Sequence, residues 1–244
     1  MLVRPHNASN LGSVARVAKN FGLRGLSVVE PAVPADPDST RLAVGAADLL
    51  ATIERHPNLS AAVADFPVVV TTSSFRGRGR ARSLELSELP QLLSETGGTP
   101  TAFVFGPERS GLTEDELARA SACLRLPTDP AFPTMNLSHA VALVLGVATA
   151  FAPAGAAAEP ASAPEPLAPA SEIEGAIAHW DRALEAIGFY DTGHRDRSLR
   201  DWRRLAAGRP MSMREVAILR GVANRVLVAL RIREKDRDPS LRSG

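Results

Sequence analysis

Three short stretches of the chain place chemically capable side chains among small or apolar ones: Asn10-Leu11-Gly12-Ser13-Val14-Ala15-Arg16, Phe103-Val104-Phe105-Gly106-Pro107-Glu108-Arg109-Ser110-Gly111-Leu112, and Phe132-Pro133-Thr134-Met135-Asn136-Leu137-Ser138-His139. In the first, Asn10 taken alone reads as a helix N-cap before it reads as a functional amide. Arg16 follows Val14 and Ala15 in a helix of small or apolar residues, so its charge needs a partner or a cleft. In the second, a strand of buried type ends in Gly106, where backbone can approach a ligand closely, although a plain Glu108–Arg109 turn has the same spelling. In the third, Asn136 suits an N-cap and His139 an exposed position in the first turn. Each stretch is ordinary alone. Together they follow strand ends, where open α/β sheets bind ligands.

Further residues bear on function. Phe75 to Arg82 sets Arg76, Arg78, Arg80 and Arg82 at alternate positions in a glycine-loosened loop, which reads as a solvated charge run, or as a phosphate contact if it lies beside a site that takes RNA. Trp180, Tyr190 and Trp202 read as core. Cys123, in a strand of buried type, reads as a small hydrophobe, which disfavours a cysteine nucleophile.

The elements that must position these groups alternate. Strands are expected at Leu2–Arg4, Leu26–Val29, Val68–Thr72, Thr101–Phe105 and Cys123–Leu126. Helices are expected at Leu11–Phe21, Ser39–Leu50, Ser60–Asp65, Leu86–Ser94, Glu114–Ser121 and Leu137–Ala152, so the first 151 residues read as α/β. Thr113 and Glu116 spell a capping box. Residues 152–170 hold nine alanines and five prolines in 19 residues, the composition of a linker. Residues 171–244 then read as helical, with Ser171/Glu174 and Ser212/Glu215 as capping boxes. Val216, Leu219, Val222, Ala223, Val226 and Leu230 make one apolar helix face.

With 244 residues, 45% hydrophobic and 23% charged, the chain has globular composition and is too apolar for disorder throughout. Its longest apolar run stops at Ala152, short of the roughly 20 residues that span a bilayer. The N-terminal residues lack the apolar core of a secretory signal, so a cytoplasmic location is expected, with no membrane and no metal. Residues 1–151 carry 13 Arg/Lys against 14 Asp/Glu, whereas Asp201–Lys235 carries nine basic residues against three acidic ones. The basic face belongs to the C-terminus, and its arginines suit phosphate and equally fit the codon bias of a GC-rich genome.

The three stretches resemble the three motifs of the SPOUT methyltransferases, in the TrmH/TrmJ branch that methylates ribose 2′-hydroxyls of RNA. Leu199 to Leu205 and Glu215 to Gly221 further resemble the helical extension of TrmJ-type tRNA enzymes. The resemblance implies a parallel-sheet SPOUT domain with a C-terminal trefoil knot, a homodimer with active sites at the subunit interface, and S-adenosylmethionine as methyl donor. It makes Asn10, Arg16, Glu108 and Asn136 the catalytic set. Thr72, Ser73, Ser74, Gly106, Leu126, Thr134, Met135, Asn136 and Leu137 become the cofactor site. Arg76, Arg78, Arg80, Arg82, Arg109, Arg203, Arg204, Arg220 and Arg225 are expected to hold RNA, with a tRNA anticodon loop as the expected substrate. Two departures stand out: the first strand is shorter than usual, and His139 follows a tRNA guanosine-type spelling. The alternatives are ribosomal RNA, another tRNA position, or a knotted RNA-binding factor without turnover. Arginine stays protonated in proteins, so Arg16 is expected to stabilise a developing alkoxide and grip phosphate, not to accept the proton.

Overall fold

The computed structural model describes residues 1–23, 25–31, 41–73, 82–150, 165–190, 194–207 and 209–237. Its first strand, β1 (Leu2–Val3), leads into α1 (Ala8–Asn20). The cap of α1 is Asn7, whose side chain accepts from the Ser9 amide at 2.8 Å. Asn10 therefore lies inside the helix and is freed from capping. Leu11, Val14, Ala15 and Ala18 form the buried stripe, and Gly22 ends the helix at φ +71°, a conformation that favours glycine.

The chain continues through β2 (Ser27–Val29), α2 (Ala47–Ala51), β3 (Glu54–His56), α3 (Leu59–Val63), β4 (Val68–Ser73), β5 (Arg82–Glu85), α4 (Leu89–Glu95), β6 (Thr101–Val104), α5 (Glu114–Leu117), β7 (Ala122–Arg125) and α6 (Leu137–Ala150). The helix expected over 39–50 is broken, because Gly45 takes φ +73° and a helix restarts only at Ala47; residues 39 and 40 lie outside the described residues. α5 is a single turn, held by the Thr113/Glu116 capping box.

Among the described residues every strand pairing is parallel. β4 lies between β6 and β7, β5 is outside β7, and β2 lies between β1 and β3. The Val3 amide donates to the Phe105 carbonyl at 2.8 Å, which sets β1 beside the end of β6. This bridge lines up a four-stranded sheet, β5-β7-β4-β6, with a three-stranded one, β1-β2-β3. Side chains alternate between two covered faces. Leu2, Val28, Val68, Val70 and Leu124 join α1 and α6 in one core layer. Val3, Val29, Val69, Val104 and Cys123 join α3 and α5 in the other. Burial there pushes the Cys123 thiol up, in keeping with a packing role.

The C-terminal helices are α7 (Ala170–Ala186), α8 (Arg195–Ala207) and α9 (Met213–Arg237). The Ser212/Glu215 box caps α9, whereas Ser171 caps nothing, because α7 already begins at Ala170. Glu174 instead meets Arg119 at 3.1 Å and Arg203 at 3.0 Å. The Ala170 and Ser171 amides donate to the Phe66 and Ala64 carbonyls at 3.1 and 3.0 Å. Residues 167–170 thus pack: Ala168 is buried, and Leu167 bridges to Ser212. Residues 152–164 of the expected linker lie outside the described residues. Trp180 and Trp202, expected as core, are only half-buried and stack on each other with centroids 5.8 Å apart.

Candidate functional site

The three motif stretches converge at the carboxyl ends of β1, β6 and β7, three strands whose following loops rise on the same side of the sheet. Asn10 projects from the first turn of α1, Glu108 from the loop after β6, and Asn136 from the start of α6. Asn136 Oδ1 accepts from the Ser138 amide at 2.9 Å and from its hydroxyl at 2.8 Å. Asn136 Nδ2 donates to Asn10 Oδ1 at 3.3 Å, and Asn10 Nδ2 donates to Glu108 Oε1. A carboxylate only accepts, so the row has one consistent direction, Ser138 to Asn136 to Asn10 to Glu108, and both amides are held in one orientation. No local signal marks Ser138, two residues after a cap, as the end of this row.

Two clefts meet beside it. The smaller, of about 150 Å³, is lined by Thr72, Ser73, Gly106, Leu126, Thr134, Met135 and Leu137, seven of the residues expected to hold a cofactor. Phe105 and Leu112, outside the expected cofactor set, add apolar wall. Asn136 belongs to the larger open cleft of about 1510 Å³, together with His6, Asn10 and His139. Glu108, Arg109, Thr128, Thr134 and Met135 line both, so a molecule in either space faces the same wall. Ser74 lies outside the described residues.

Gly106 matters for a reason other than ligand approach. A Cβ there would meet the Leu112 amide nitrogen at 2.7 Å and the Gly111 carbonyl carbon at 2.8 Å. The loop folds back on itself, with the Gly111 amide on the Pro107 carbonyl at 2.8 Å and Gly111 at φ +66°. Gly106→Ala is therefore expected to destabilise the protein by ~1–3 kcal/mol as the backbone gives way, read from urea unfolding. Wild-type stability would mean that the loop has room to spare.

Arg16 is not brought to this row. It lies six residues beyond Asn10, which on a helix is about 9 Å along the axis and about 120° around it. It is exposed, lines neither cleft, and has no hydrogen-bond or ion-pair partner among the described residues.

The expected RNA-binding arginines divide. Arg109 is exposed at the junction of the clefts, and Arg225 is exposed on α9. Arg203 is held by Glu174, Arg204 by Asp201 at 2.9 Å, and Arg220 by Glu172 at 3.1 Å. Arg82 sits in β5, 3.4 Å from Glu95. Arg76, Arg78 and Arg80 lie outside the described residues. Among the described residues there is no cluster of three or more metal-ligating side chains, and no helix is long and apolar enough to cross a membrane.

Comparison with known proteins gives the following. Residues 1–146 match the SpoU rRNA Methylase family, and residues 171–238 match the C-terminal domain of the tRNA methyltransferase TrmJ. The chain is 32% identical over 232 residues to the tRNA (cytidine/uridine-2′-O-)-methyltransferase TrmJ of Salmonella typhimurium, covering 91% of this chain and 93% of that one. The corresponding protein of Klebsiella pneumoniae is 33% identical over 233 residues, with the same coverage of both chains. Among solved structures, TrmJ from Z. mobilis superposes with a TM-score of 0.79 at 30% identity, over 92% of this chain and 96% of that one.

Proposed function

The chain belongs to the SpoU rRNA methylase family, and from that premise we propose that it transfers a methyl group from S-adenosylmethionine to the 2′-hydroxyl of a tRNA ribose. The observation that carries this reading is the wall shared by the two clefts: one reactant in each would meet across Glu108, Arg109 and Thr134. The target is a tRNA anticodon-loop nucleotide. The match of the helical extension and the names of the relatives support tRNA over ribosomal RNA. The enzyme works in the cytoplasm, as a homodimer whose α/β unit, residues 1–151, ends in a trefoil knot. Residues 171–244 form its RNA-binding extension.

The smaller cleft fits the cofactor by its chemistry. Phe105, Leu112, Leu126 and Met135 offer apolar wall, while Thr72, Ser73 and Thr134 offer hydroxyls, the mix an amphiphilic nucleoside needs. When bound, S-adenosylmethionine supplies a methyl group on an electrophilic sulfonium. The protein's own contribution is orientation, which alone can lower such a barrier substantially. Asn10 and Asn136 enter the reaction already aligned, and Arg109 grips a phosphate beside the acceptor ribose. Arg16 comes from a second copy of the chain, since within one copy it lines neither cleft. It stabilises the alkoxide as the proton leaves to water or to a phosphate oxygen.

Incubation with methyl-labelled S-adenosylmethionine and total RNA tests this. Label is expected in tRNA and not in ribosomal RNA. Label confined to ribosomal RNA would move the substrate, and no transfer to either would return the chain to a binding role.

A further inference from the structure

We propose that Arg4 is a positioning residue: through Glu116 it fixes the loop that bears Glu108 against the turn that bears Asn10, so that the hydrogen-bonded row can close. The proposal deepens the methyl-transfer reading and rests on it for its kinetic readout.

Arg4 ends β1 at φ +44°, and Glu30 ends the neighbouring β2 at φ +46°. Neither is glycine, and these are the only two described non-glycine residues in that region of backbone space. Both keep their ladder bonds, the Arg4 amide on the Val29 carbonyl at 2.8 Å and the Glu30 amide on the His56 carbonyl at 3.0 Å. The left-handed turn lets the chain leave the sheet sharply, and such strain persists where surrounding contacts over-determine it.

Those contacts converge on one guanidinium. Arg4 Nη1 lies 2.5 Å from Glu116 Oε1 and Nη2 lies 2.9 Å from Oε2, a two-pronged pairing that a planar fork makes and an ammonium does not. Nη1 also reaches Glu30 Oε2 at 3.4 Å. Glu116 is 9% exposed, and its Oε2 accepts in addition from the Thr113 amide at 2.7 Å. Burial pushes this carboxyl up, but the Arg4 bonds and the Thr113 amide outweigh it and hold the group below its ordinary range. The carboxylate is thus committed to Arg4 and to the cap of α5, and removing Arg4 would leave it charged, buried and half-satisfied.

The consequence is geometric. Thr113 is the residue after Leu112, where the folded-back loop carrying Glu108 and Arg109 ends. Arg4 stands three residues before Asn7, the cap that starts the helix carrying Asn10. One ion pair therefore spans the root of both partners in the Asn10–Glu108 bond. Arg4 lines neither cleft, so it acts through Glu116 and not on a reactant.

The test uses the full-length protein with Arg4→Met, which keeps length without charge, Arg4→Lys, which keeps charge without the fork, and Glu116→Gln, which keeps an acceptor for the cap but removes its charge. Assayed well below its melting temperature, Arg4→Met is expected to lose about tenfold or more in kcat for tRNA methylation, with KM for tRNA and S-adenosylmethionine nearly unchanged. Arg4→Lys should recover part of that loss. The Arg4→Met/Glu116→Gln double variant should be no worse than the poorer single one. A lowered melting temperature with wild-type kcat, or losses that multiply, would overturn the proposal. Hydrogen exchange provides an arm independent of the reaction: amides 106–112 should exchange faster in Arg4→Met while those of α6 do not. Unchanged exchange at 106–112 overturns the proposal whether or not tRNA is methylated. A wild-type protein inactive on tRNA would count against the methylation reading, leaving the exchange result to decide the role of Arg4.

Discussion

Arg16→Ala is expected to fold, dimerise and bind S-adenosylmethionine as the wild type does, and to keep less than about a tenth of its turnover, a loss of at least ~1.4 kcal/mol in transition-state stabilisation. Removing a single donor to a developing oxyanion commonly costs more, on the order of a hundredfold. The physical motive is the exposed guanidinium, which has no partner among the described residues and stands on the outer side of a helix whose buried stripe is Leu11, Val14, Ala15 and Ala18. Packing does not require it there. Because Arg16 lines neither cleft within one copy of the chain, the proposed dimer also predicts complementation. In a two-fold dimer, Arg16→Ala chains co-expressed with Glu108→Gln chains pair at random, and each mixed dimer then rebuilds one complete site. Activity should return to about a quarter of the wild type, although each variant alone is nearly inactive. A mixture no better than the two variants separately would place Arg16 and Glu108 in the same subunit's site. Retention of most turnover by Arg16→Ala would remove it from the reaction altogether.

Deleting residues 151–244 is expected to leave a folded α/β unit, since nearly all of both core layers lies before residue 151, and to weaken tRNA binding by about tenfold or more with a shallower dependence on salt. The ion pairs refine which arginines carry that effect. Arg214 and Arg225 are exposed on α9 and have no ion-pair partner among the described residues. Replacing both by alanine should reduce the salt slope by about one for each phosphate that is no longer neutralised. Arg203→Ala should behave differently. It removes a partner of Glu174, which also holds Arg119 of the α/β unit, so the expected change is a lower melting temperature with the slope intact. Identical slopes for the full-length and shortened chains would make the helices a structural appendage and assign RNA binding to the α/β unit.

What is legible in the sequence divides along physical lines. β2, β4, β6 and β7 are built largely of Val, Ala, Cys, Leu and Phe buried on one or both faces, and their composition announces them. β3 (Glu-Arg-His) and β5 (Arg-Ser-Leu-Glu) carry no such mark, because an edge strand with mostly exposed side chains is defined by its neighbour's hydrogen bonds and not by its own residues. Asn7 and Asn10 illustrate the same limit at the site. Either asparagine could cap α1, and only the fold shows that Asn7 does so while Asn10 reaches Glu108, 98 residues away. Arg16 is not brought to the row that its motif spelling implies, whereas Asn10, Glu108 and Asn136 are brought together, so these three members of the row are legible. The direction of the hydrogen-bonded row, the ion pair of Arg4 with Glu116 and the engagement of Arg203 by Glu174 are not, since each joins residues far apart in the chain.

The most direct test of the central claim follows from the chemistry of the product. Alkaline cleavage of RNA needs a free 2′-hydroxyl to attack the neighbouring phosphate, so a ribose methylated at that oxygen protects its own phosphodiester. Unmodified tRNA should be incubated with the protein and S-adenosylmethionine, then hydrolysed in alkali and read as a ladder. The account predicts one protected step, in the anticodon loop, absent when the cofactor or the protein is omitted. Methyl incorporation with every phosphodiester still cleavable would show that the acceptor is a base and contradict the account.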